Sequence, residues 1–234
     1  MSYGYEYPVA RAASSERALF IRRTYAHLAG AILAFMGIEA LLLNVVGAEQ
    51  VFGLLGTSRF SWLIVLLAFM AAGWIARAWA HSDSAPAIQY LGLGLYVVAE
   101  AVIFLPLLYL ATRLTDPQVI PTAAIMTLAV FGGLTLAVFV TRKDYTFLGP
   151  ILSVGVMVAL GVLFAACLFG FSLGMLFSFA MVALASGYIL YDTSNVMLHY
   201  RTDQHVGAAL ELFASVALLF WYILRIVMAT SSRD

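Results

Sequence analysis

Charged residues are scarce in this sequence, and their scarcity is the first guide to its class. Asp, Glu, Lys and Arg make up only 10% of the 234 residues, while hydrophobic residues make up 64%. A soluble domain usually carries about 25% charged residues, and a chain this short cannot hide so much apolar surface in one core. Lipid must therefore surround much of the molecule, which makes the bilayer its first expected partner. The net charge of zero argues against a nucleic-acid partner, because phosphates are bound by excess positive charge.

Cysteine and several catalytic motifs are also missing. The single cysteine, Cys167, lies in an apolar run, so neither a disulfide framework nor a cysteine zinc site is available. The sequence contains no H-E-x-x-H zinc motif, no phosphate-binding G-x-x-x-x-G-K-[ST] loop and no EF-hand loop. Tyr191-Asp192 resembles the first motif of intramembrane aspartyl proteases, but their second motif, G-x-G-D, is absent. We therefore predict that the protein is not an enzyme and has no tightly bound cofactor.

Long hydrophobic runs dominate what is present. A membrane-spanning helix needs about 20 mostly apolar residues, and these runs lack the period-two alternation of barrel strands. We predict an all-α integral membrane protein with spans near residues 24–46, 60–80, 88–112, 121–141, 147–169, 171–196 and 207–229. The break at Gly170 is the weakest of the boundaries. The sequence leaves open whether residues 147–196 cross the bilayer once or twice.

Basic residues in the loops predict the orientation. With seven spans and a cytoplasmic N-terminus, the cytoplasmic side holds most of the twelve Lys and Arg residues, as the positive-inside rule requires. They are Arg11, Arg17, Arg22, Arg23, Arg77, Arg142, Lys143 and Arg201, against Arg59, Arg113, Arg225 and Arg233 on the other side. If residues 147–196 span once, both termini are cytoplasmic and the bias survives. We expect a flexible polar tail at 1–19, one transmembrane domain at 20–230 and a short tail at 231–234.

Ionisable residues inside the predicted spans are the main functional signal. Each costs roughly 2.5–3.5 kcal/mol at mid-membrane, so such residues usually face a bundle interior or a watery cavity. Four carboxylates qualify: Glu39, Glu100, Asp192 and Glu211. Tyr188, Asp192, Asn195 and His199 form one stripe along the sixth predicted helix, and Glu211 and Ser215 share a face of the seventh. We expect these polar stripes to point into the bundle.

Asp192 and Glu211 are predicted to lie at the same depth. Each is about five residues from the loop that joins their helices, or roughly 6–8 Å below the cytoplasmic boundary, and Arg77 should lie near that level. Two such carboxylates cannot both ionise easily, so they can share a proton or hold Ca²⁺, which prefers oxygen ligands. The alternative is structural, with Asp192 capping a neighbouring helix or pairing with Arg77 to lock the bundle. Glu100 and Glu39 lie deeper. Together with Asp192 and Glu211 they would form a staircase, a row of acids at increasing depth across the bilayer; the alternative is that this order of depths is a coincidence.

Several motifs resemble one family of membrane proteins. The most specific is TAAIMTLAVFGGLTLAVFVTRKDYTFLGPIL, from Thr122 to Leu152, with its T…F…LT…TRKD-[FY]-[ST]-FLG pattern. LYDTS at Leu190 to Ser194, the Arg-Thr-Tyr entry at Arg23 to Tyr25, and AALELF to WYILRI in the last run are similar too. Together they resemble the Bax inhibitor family, including its YccA-like bacterial members, over nearly the whole chain.

The resemblance implies a fold and a set of roles. The family fold has seven helices, six of them around a central C-terminal helix. Its activity is a pH-sensitive calcium leak governed by an acid in the sixth helix, an acid in the seventh and an arginine in the second. Asp192 matches the first acid and Arg77 the arginine, whereas Ser215 stands where the family has the second acid. Our hypothesis is that Glu211, one turn earlier on the same face, replaces that acid and pairs with Asp192 as pH sensor and tentative Ca²⁺ ligand, with Glu100 further along the path.

Two functions follow as expectations from the resemblance. The first is a pH-sensitive calcium leak, with Ca²⁺ and protons as partners and only transient Ca²⁺ binding. The alternative is a non-enzymatic modulator of a membrane-bound quality-control protease, or a stress-response regulator, acting through the N-terminal tail. Either reading places the protein in a bacterial inner membrane with its N-terminus in the cytoplasm.

Overall fold

The computed structural model describes residues 8–56, 59–82 and 85–231. These ranges contain eight α-helices: α1 (Ser14–Val45), α2 (Ala48–Gly56), α3 (Arg59–Ala80), α4 (Pro86–Leu114), α5 (Val119–Thr141), α6 (Gly149–Phe169), α7 (Met175–Leu198) and α8 (His205–Ser231). All but α2 are long and apolar enough to cross a membrane. In the same ranges the only β-pairing is an isolated bridge between Pro8 and Arg201. The prediction of an all-α, seven-span membrane protein is confirmed.

The weak boundary at Gly170 separates two complete helices. Gly170 takes a left-handed conformation, with φ of 75°, and its N–H donates to the carbonyl of Ala166, which ends α6. Only glycine adopts this conformation at no steric cost, which is why it commonly follows the last turn of a helix. Since α6 and α7 each have membrane-spanning length, residues 147–196 contain two spans.

Helix α8 lies at the centre of the bundle. It packs against α1, α3, α4, α5 and α7, while α6 packs on α3 and α7 at the periphery. Small side chains such as Ala208, Ala209 and Ala217 are buried along α8, and small residues let helices approach closely in lipid. At Gly207 an added Cβ would lie 2.7 Å from Nδ1 of His81. The first residue after α3 therefore packs directly on the backbone at the start of α8. The fold predicted from the resemblance is confirmed.

The N-terminal region differs from the predicted tail. Helix α1 begins at Ser14, so residues 14–19 of that segment are helical. Before them, Val9 is completely buried and its N–H donates to the carbonyl of Tyr200 at 2.8 Å. The prediction failed here because this part of α1 is polar and lacks the hydropathy by which spans are recognised. Residues 1–7 and 232–234 lie outside the described residues.

Candidate functional site

A cavity of about 590 Å³ lies among α3, α4, α6, α7 and α8. Most of its wall is apolar, formed by side chains such as Leu66, Phe69 and Phe104. The polar part of the wall holds all five residues that the sequence predicted for a pH sensor or ion pathway: Arg77, Glu100, Asp192, Glu211 and Ser215. The predicted polar faces of α7 and α8 therefore do point into the bundle and meet in one space.

Asp192 accepts a hydrogen bond from the neighbouring helix α8. The hydroxyl of Ser215 donates to Oδ2 of Asp192 at 2.6 Å, and both residues are buried. A short bond to an ionised acceptor is stronger than a neutral one, so it joins α7 to α8 firmly when Asp192 is charged. Ser215 thus donates a hydrogen bond to Asp192, whereas an ionised carboxyl at the same position would repel it.

Glu211 is bound to the end of α3. Nε of Arg77 lies 3.1 Å from each carboxylate oxygen of Glu211, and Nε2 of His81 lies 3.1 Å from Oε1. The Arg77 side chain is 41% exposed and that of Glu211 23%, so the pair stands where the cavity opens to the surface of the bundle. Glu211 therefore connects α3 to α8 and faces the cavity.

The two acids share a cavity but bond to different groups. Asp192 takes its hydrogen bond from Ser215, and Glu211 takes its bonds from Arg77 and His81. Their carboxylates are near enough to interact electrostatically. The alternative prediction, in which Asp192 pairs with Arg77, is not what the structure shows, because Arg77 pairs with Glu211. Titration of either acid therefore acts on the other through charge, within one network that joins α3, α7 and α8.

Glu100 extends this network into α4. The guanidinium of Arg77 lies over the Tyr96 ring, 4.9 Å from its centroid, with Nη2 at 3.5 Å from the hydroxyl. The Tyr96 and Glu100 side chains, one turn apart on α4, are close enough to interact. Glu39 does not belong to the staircase. It is buried on α1, neither of its oxygens has a partner among the described residues, and it does not line the cavity.

Sequence reasoning missed three residues of this cluster: His81, Tyr96 and Tyr200. Arg77 and His81 stand at i and i+4, the spacing that brings side chains together on one helical face, and that signal could have identified His81. The Tyr200 ring stacks on His81 with centroids 6.1 Å apart and planes at 13°. Burial raises the pKa of the Tyr200 hydroxyl. No pattern in the sequence points to this contact, because Tyr200 lies in the loop between α7 and α8.

Comparison with known proteins identifies the family. A model of the family described as "Inhibitor of apoptosis-promoting Bax1" matches residues 17–233. The chain belongs to the Bax inhibitor family. LIFEGUARD 2 of Arabidopsis thaliana is 30% identical over 97% of this chain and 94% of its own. Lifeguard 4 of Mus musculus is 29% identical over 99% and 93%. An uncharacterized protein of Pseudomonas aeruginosa is 34% identical over 50% and 53%. The family thus includes plant, animal and bacterial proteins.

In this Bax inhibitor protein, the loop between α5 and α6 is hydrogen-bonded to the end of α7. Oδ1 of Asp144, between α5 and α6, accepts bonds from the N–H and the hydroxyl of Thr146, and Oδ2 lies 3.0 Å from Nε2 of His199. The neighbouring N–H of Tyr145 donates to Ser194 at 3.0 Å. The bonds from Thr146 lower the pKa of Asp144 from 3.8 to about 2. His199, predicted to lie on the Asp192 stripe, thus bonds to this loop.

The depressed pKa makes a prediction about acid stability. Protons bind the unfolded chain first, so the stabilisation from Asp144 should be complete above about pH 4 and lost as pH falls to about 2. We expect thermal unfolding in detergent between pH 5 and pH 2 to show this loss in the natural chain. Asp144→Asn should unfold at a lower temperature at pH 5 and lack that part of the pH dependence. Identical profiles for the two proteins would contradict the assignment.

One segment matches the sequence of a catalytic motif but lacks its structural context. Residues Gly170 to Gly174 read G-x-S-x-G, which in α/β-hydrolases places a nucleophilic serine on a strand-to-helix turn beside a histidine partner. Here the pattern lies in the loop between α6 and α7. The four histidines of the chain, His27, His81, His199 and His205, lie at the other end of the bundle. Ser172 therefore has neither the backbone nor the base that the motif needs.

Proposed function

We propose that this protein is a pH-sensitive calcium-leak protein in which the cavity is part of the ion path. The observation that carries the proposal is the set of carboxylates, Glu100, Asp192 and Glu211, on the wall of one cavity in a membrane bundle. Ca²⁺ prefers six to eight oxygen ligands. No group of three or more His, Cys, Asp or Glu suited to hold a metal occurs in the described ranges. The arrangement therefore suits a cation that passes the carboxylates, not one held as a resident cofactor.

The contacts suggest how protons would control the path. With Glu211 ionised, its bonds to Arg77 hold the end of α3 against α8 and cover the mouth of the cavity. Glu211 is bound by Arg77 and His81 and keeps its charge between pH 8 and 5, whereas Asp192 is buried and bonded to a neutral hydroxyl, so Asp192 takes up the proton as pH falls. Its protonation removes one of the two negative charges near Arg77 and weakens the attraction that holds α3 against α8. The attraction is restored when the proton leaves. We therefore expect the leak to increase as pH falls from 8 to 5.

The orientation and the membrane are part of this proposal. An excess of basic residues in the loops on the N-terminal side supports a cytoplasmic N-terminus, and with it a cytoplasmic location for the Arg77–Glu211 pair. The related proteins come from plants, animals and bacteria, so a bacterial inner membrane rests on the YccA-like sequence pattern alone.

Calcium flux into liposomes across pH 5–8 tests the proposal. We expect Glu211→Gln to leak at every pH with little pH dependence, because a neutral amide cannot hold Arg77 by charge. Asp192→Asn should remove most of the pH dependence, because it removes the acid that takes up the proton in this range. Glu39→Gln is the matched control, since it neutralises a buried acid outside the cavity and should leave the flux unchanged. If neither cavity acid affects flux or its pH dependence, the proposal is wrong.

A second candidate is modulation of a membrane protease through the N-terminus. The contact that favours it is the bond from Val9 to Tyr200, because Tyr200 stacks on His81 and His81 bonds to Glu211. The N-terminal segment is thereby connected to the cavity mouth. The same flux measurement separates the two roles. A chain without residues 1–7 should keep its flux and lose any effect on a protease, and the reverse result would exclude this role.

A further inference from the structure

A second cavity lies on the outer surface of the bundle, in a groove between α1 and α4. Its volume is about 570 Å³, and it shares no lining residue with the first cavity. It extends along α1 from Ala26 to Ile38, which corresponds to about 18 Å of helix. That length is close to one leaflet, since the hydrocarbon core is about 30 Å thick. The floor is apolar and buried, formed by residues such as Ala31 and Leu93.

One end of this groove is polar. His27 and Tyr90 line it, with Nε2 of His27 at 3.1 Å from the Tyr90 hydroxyl. Nδ1 of His27 lies 2.6 Å from the carbonyl of Arg23, so it must donate there. In the neutral ring Nε2 then accepts from Tyr90. The groove thus has a polar head at the end where α1 enters the bilayer and an apolar body within it.

The polar end also carries positive charge. Arg22 and Arg23 are exposed on α1 one turn before His27, and in the described ranges neither side chain has an ion-pair partner. Arg23 and His27 both interact electrostatically with His205. The nearby carboxylate of Asp203 is bound by Arg201 at 2.8 Å. Basic groups without acidic partners therefore stand at the boundary of the leaflet.

We propose that this groove binds one acyl chain of an anionic phospholipid, whose phosphate is held by Arg22 and Arg23 beside the His27–Tyr90 pair. The apolar body fits a chain of one leaflet, and basic pockets on the surface of membrane helices attract anionic headgroups. A neutral lipid would fill the body but leave the arginines unpaired. A helix of another protein would need an acidic residue at this level to do the same. Charge complementarity therefore selects the anionic lipid.

Two glycines allow the groove to be filled without disturbing the bundle. Gly30 and Gly94 line it, and a Cβ built on either residue meets no atom within 4 Å. A leucine at these positions therefore extends into the groove and not into the protein. Gly133, on α5, is exposed, equally open and lines neither cavity. Gly133→Leu is the matched control, because it makes the same change of residue on a helix that does not form the groove.

Native mass spectrometry of the detergent-solubilised protein with added phosphatidylglycerol or phosphatidylcholine tests the proposal. We expect one molecule of phosphatidylglycerol to be retained in preference to phosphatidylcholine. Gly94→Leu should weaken its retention roughly tenfold, the effect of excluding about two methylene groups from apolar contact. Arg22→Gln and Arg23→Gln should each weaken it about fivefold, and they should remove the preference for phosphatidylglycerol. Gly133→Leu should bind like the natural chain.

Each alternative gives a different result. Equal retention of both lipids by the natural chain would overturn the proposal, as would a Gly94→Leu or Gly30→Leu variant that binds as well as Gly133→Leu. A dimer that persists in the spectrometer and is lost with Gly94→Leu would assign the groove to a second copy of the chain. The arginine variants lie on the exposed face of α1 and do not alter packing, so they remain informative if a glycine variant fails to fold. Binding is measured without calcium flux and does not depend on the leak.

Discussion

Replacing Arg77 by glutamine should lower the free energy of unfolding by about 2–3 kcal/mol. The cause is Glu211, which loses its charge-assisted bonds from Nε of Arg77 and is left with His81 at the mouth of the cavity. Removing one partner of a fully buried ion pair costs about 3–5 kcal/mol. The expected value is smaller because the Arg77 side chain is 41% exposed, and water can solvate part of what is lost.

A double-mutant cycle isolates this interaction. In a Glu211→Gln background, Arg77→Gln should cost less than about 1 kcal/mol, because the carboxylate that needs Arg77 is gone. Unfolding in mixed micelles with increasing dodecyl sulfate gives the four free energies. Arg113→Gln is a control, since this exposed arginine in the last turn of α4 should matter by about 0.5 kcal/mol or less. An equal cost of Arg77→Gln in both backgrounds would show that the ion pair does not stabilise the bundle.

The spans could be predicted from the sequence because lipid imposes a minimum length on them. The predicted and observed ends of α3, α4, α5 and α6 agree within two residues. The start of α1 was placed ten residues too late, since Ser14 to Arg23 is polar and helical. Helix α2, with nine residues, was missed because it is too short to register as a span. Hydropathy therefore identifies the long apolar helices, and it overlooks helical segments that are short or polar.

The members of the site were predictable, but their pairing was not. Spacing along one helix put Glu211 and Ser215 on one face, and the structure brings that face to Asp192. Which side chain meets which depends on the rotation and depth of neighbouring helices, and a single sequence does not contain that information. Glu39 and Glu100 illustrate the limit. Both are buried acids in spans, yet only Glu100 faces the cavity.

Ser215→Asp should give the leak a second, opposite response to pH. A carboxyl at residue 215 would stand where the hydroxyl now lies 2.6 Å from Oδ2 of Asp192. With one proton between them, the two carboxyls keep the bond that joins α7 to α8. With both ionised, two charges about 4 Å apart repel by about 4 kcal/mol at an effective dielectric constant of about 20. That repulsion exceeds the bond from Ser215 and should separate the helices.

The expected result is a flux that passes through a minimum. In the natural chain the leak should fall steadily from pH 5 to pH 8, because ionisation of Asp192 strengthens the attraction that holds α3 and α7 against α8. In Ser215→Asp it should fall and then rise again at the alkaline end. Ser215→Asn is the matched control, having the shape of aspartate without its charge, and should follow the natural profile. Liposome flux over this range distinguishes the two variants. A Ser215→Asp profile without the alkaline rise would mean that the contact between residues 192 and 215 does not control the path.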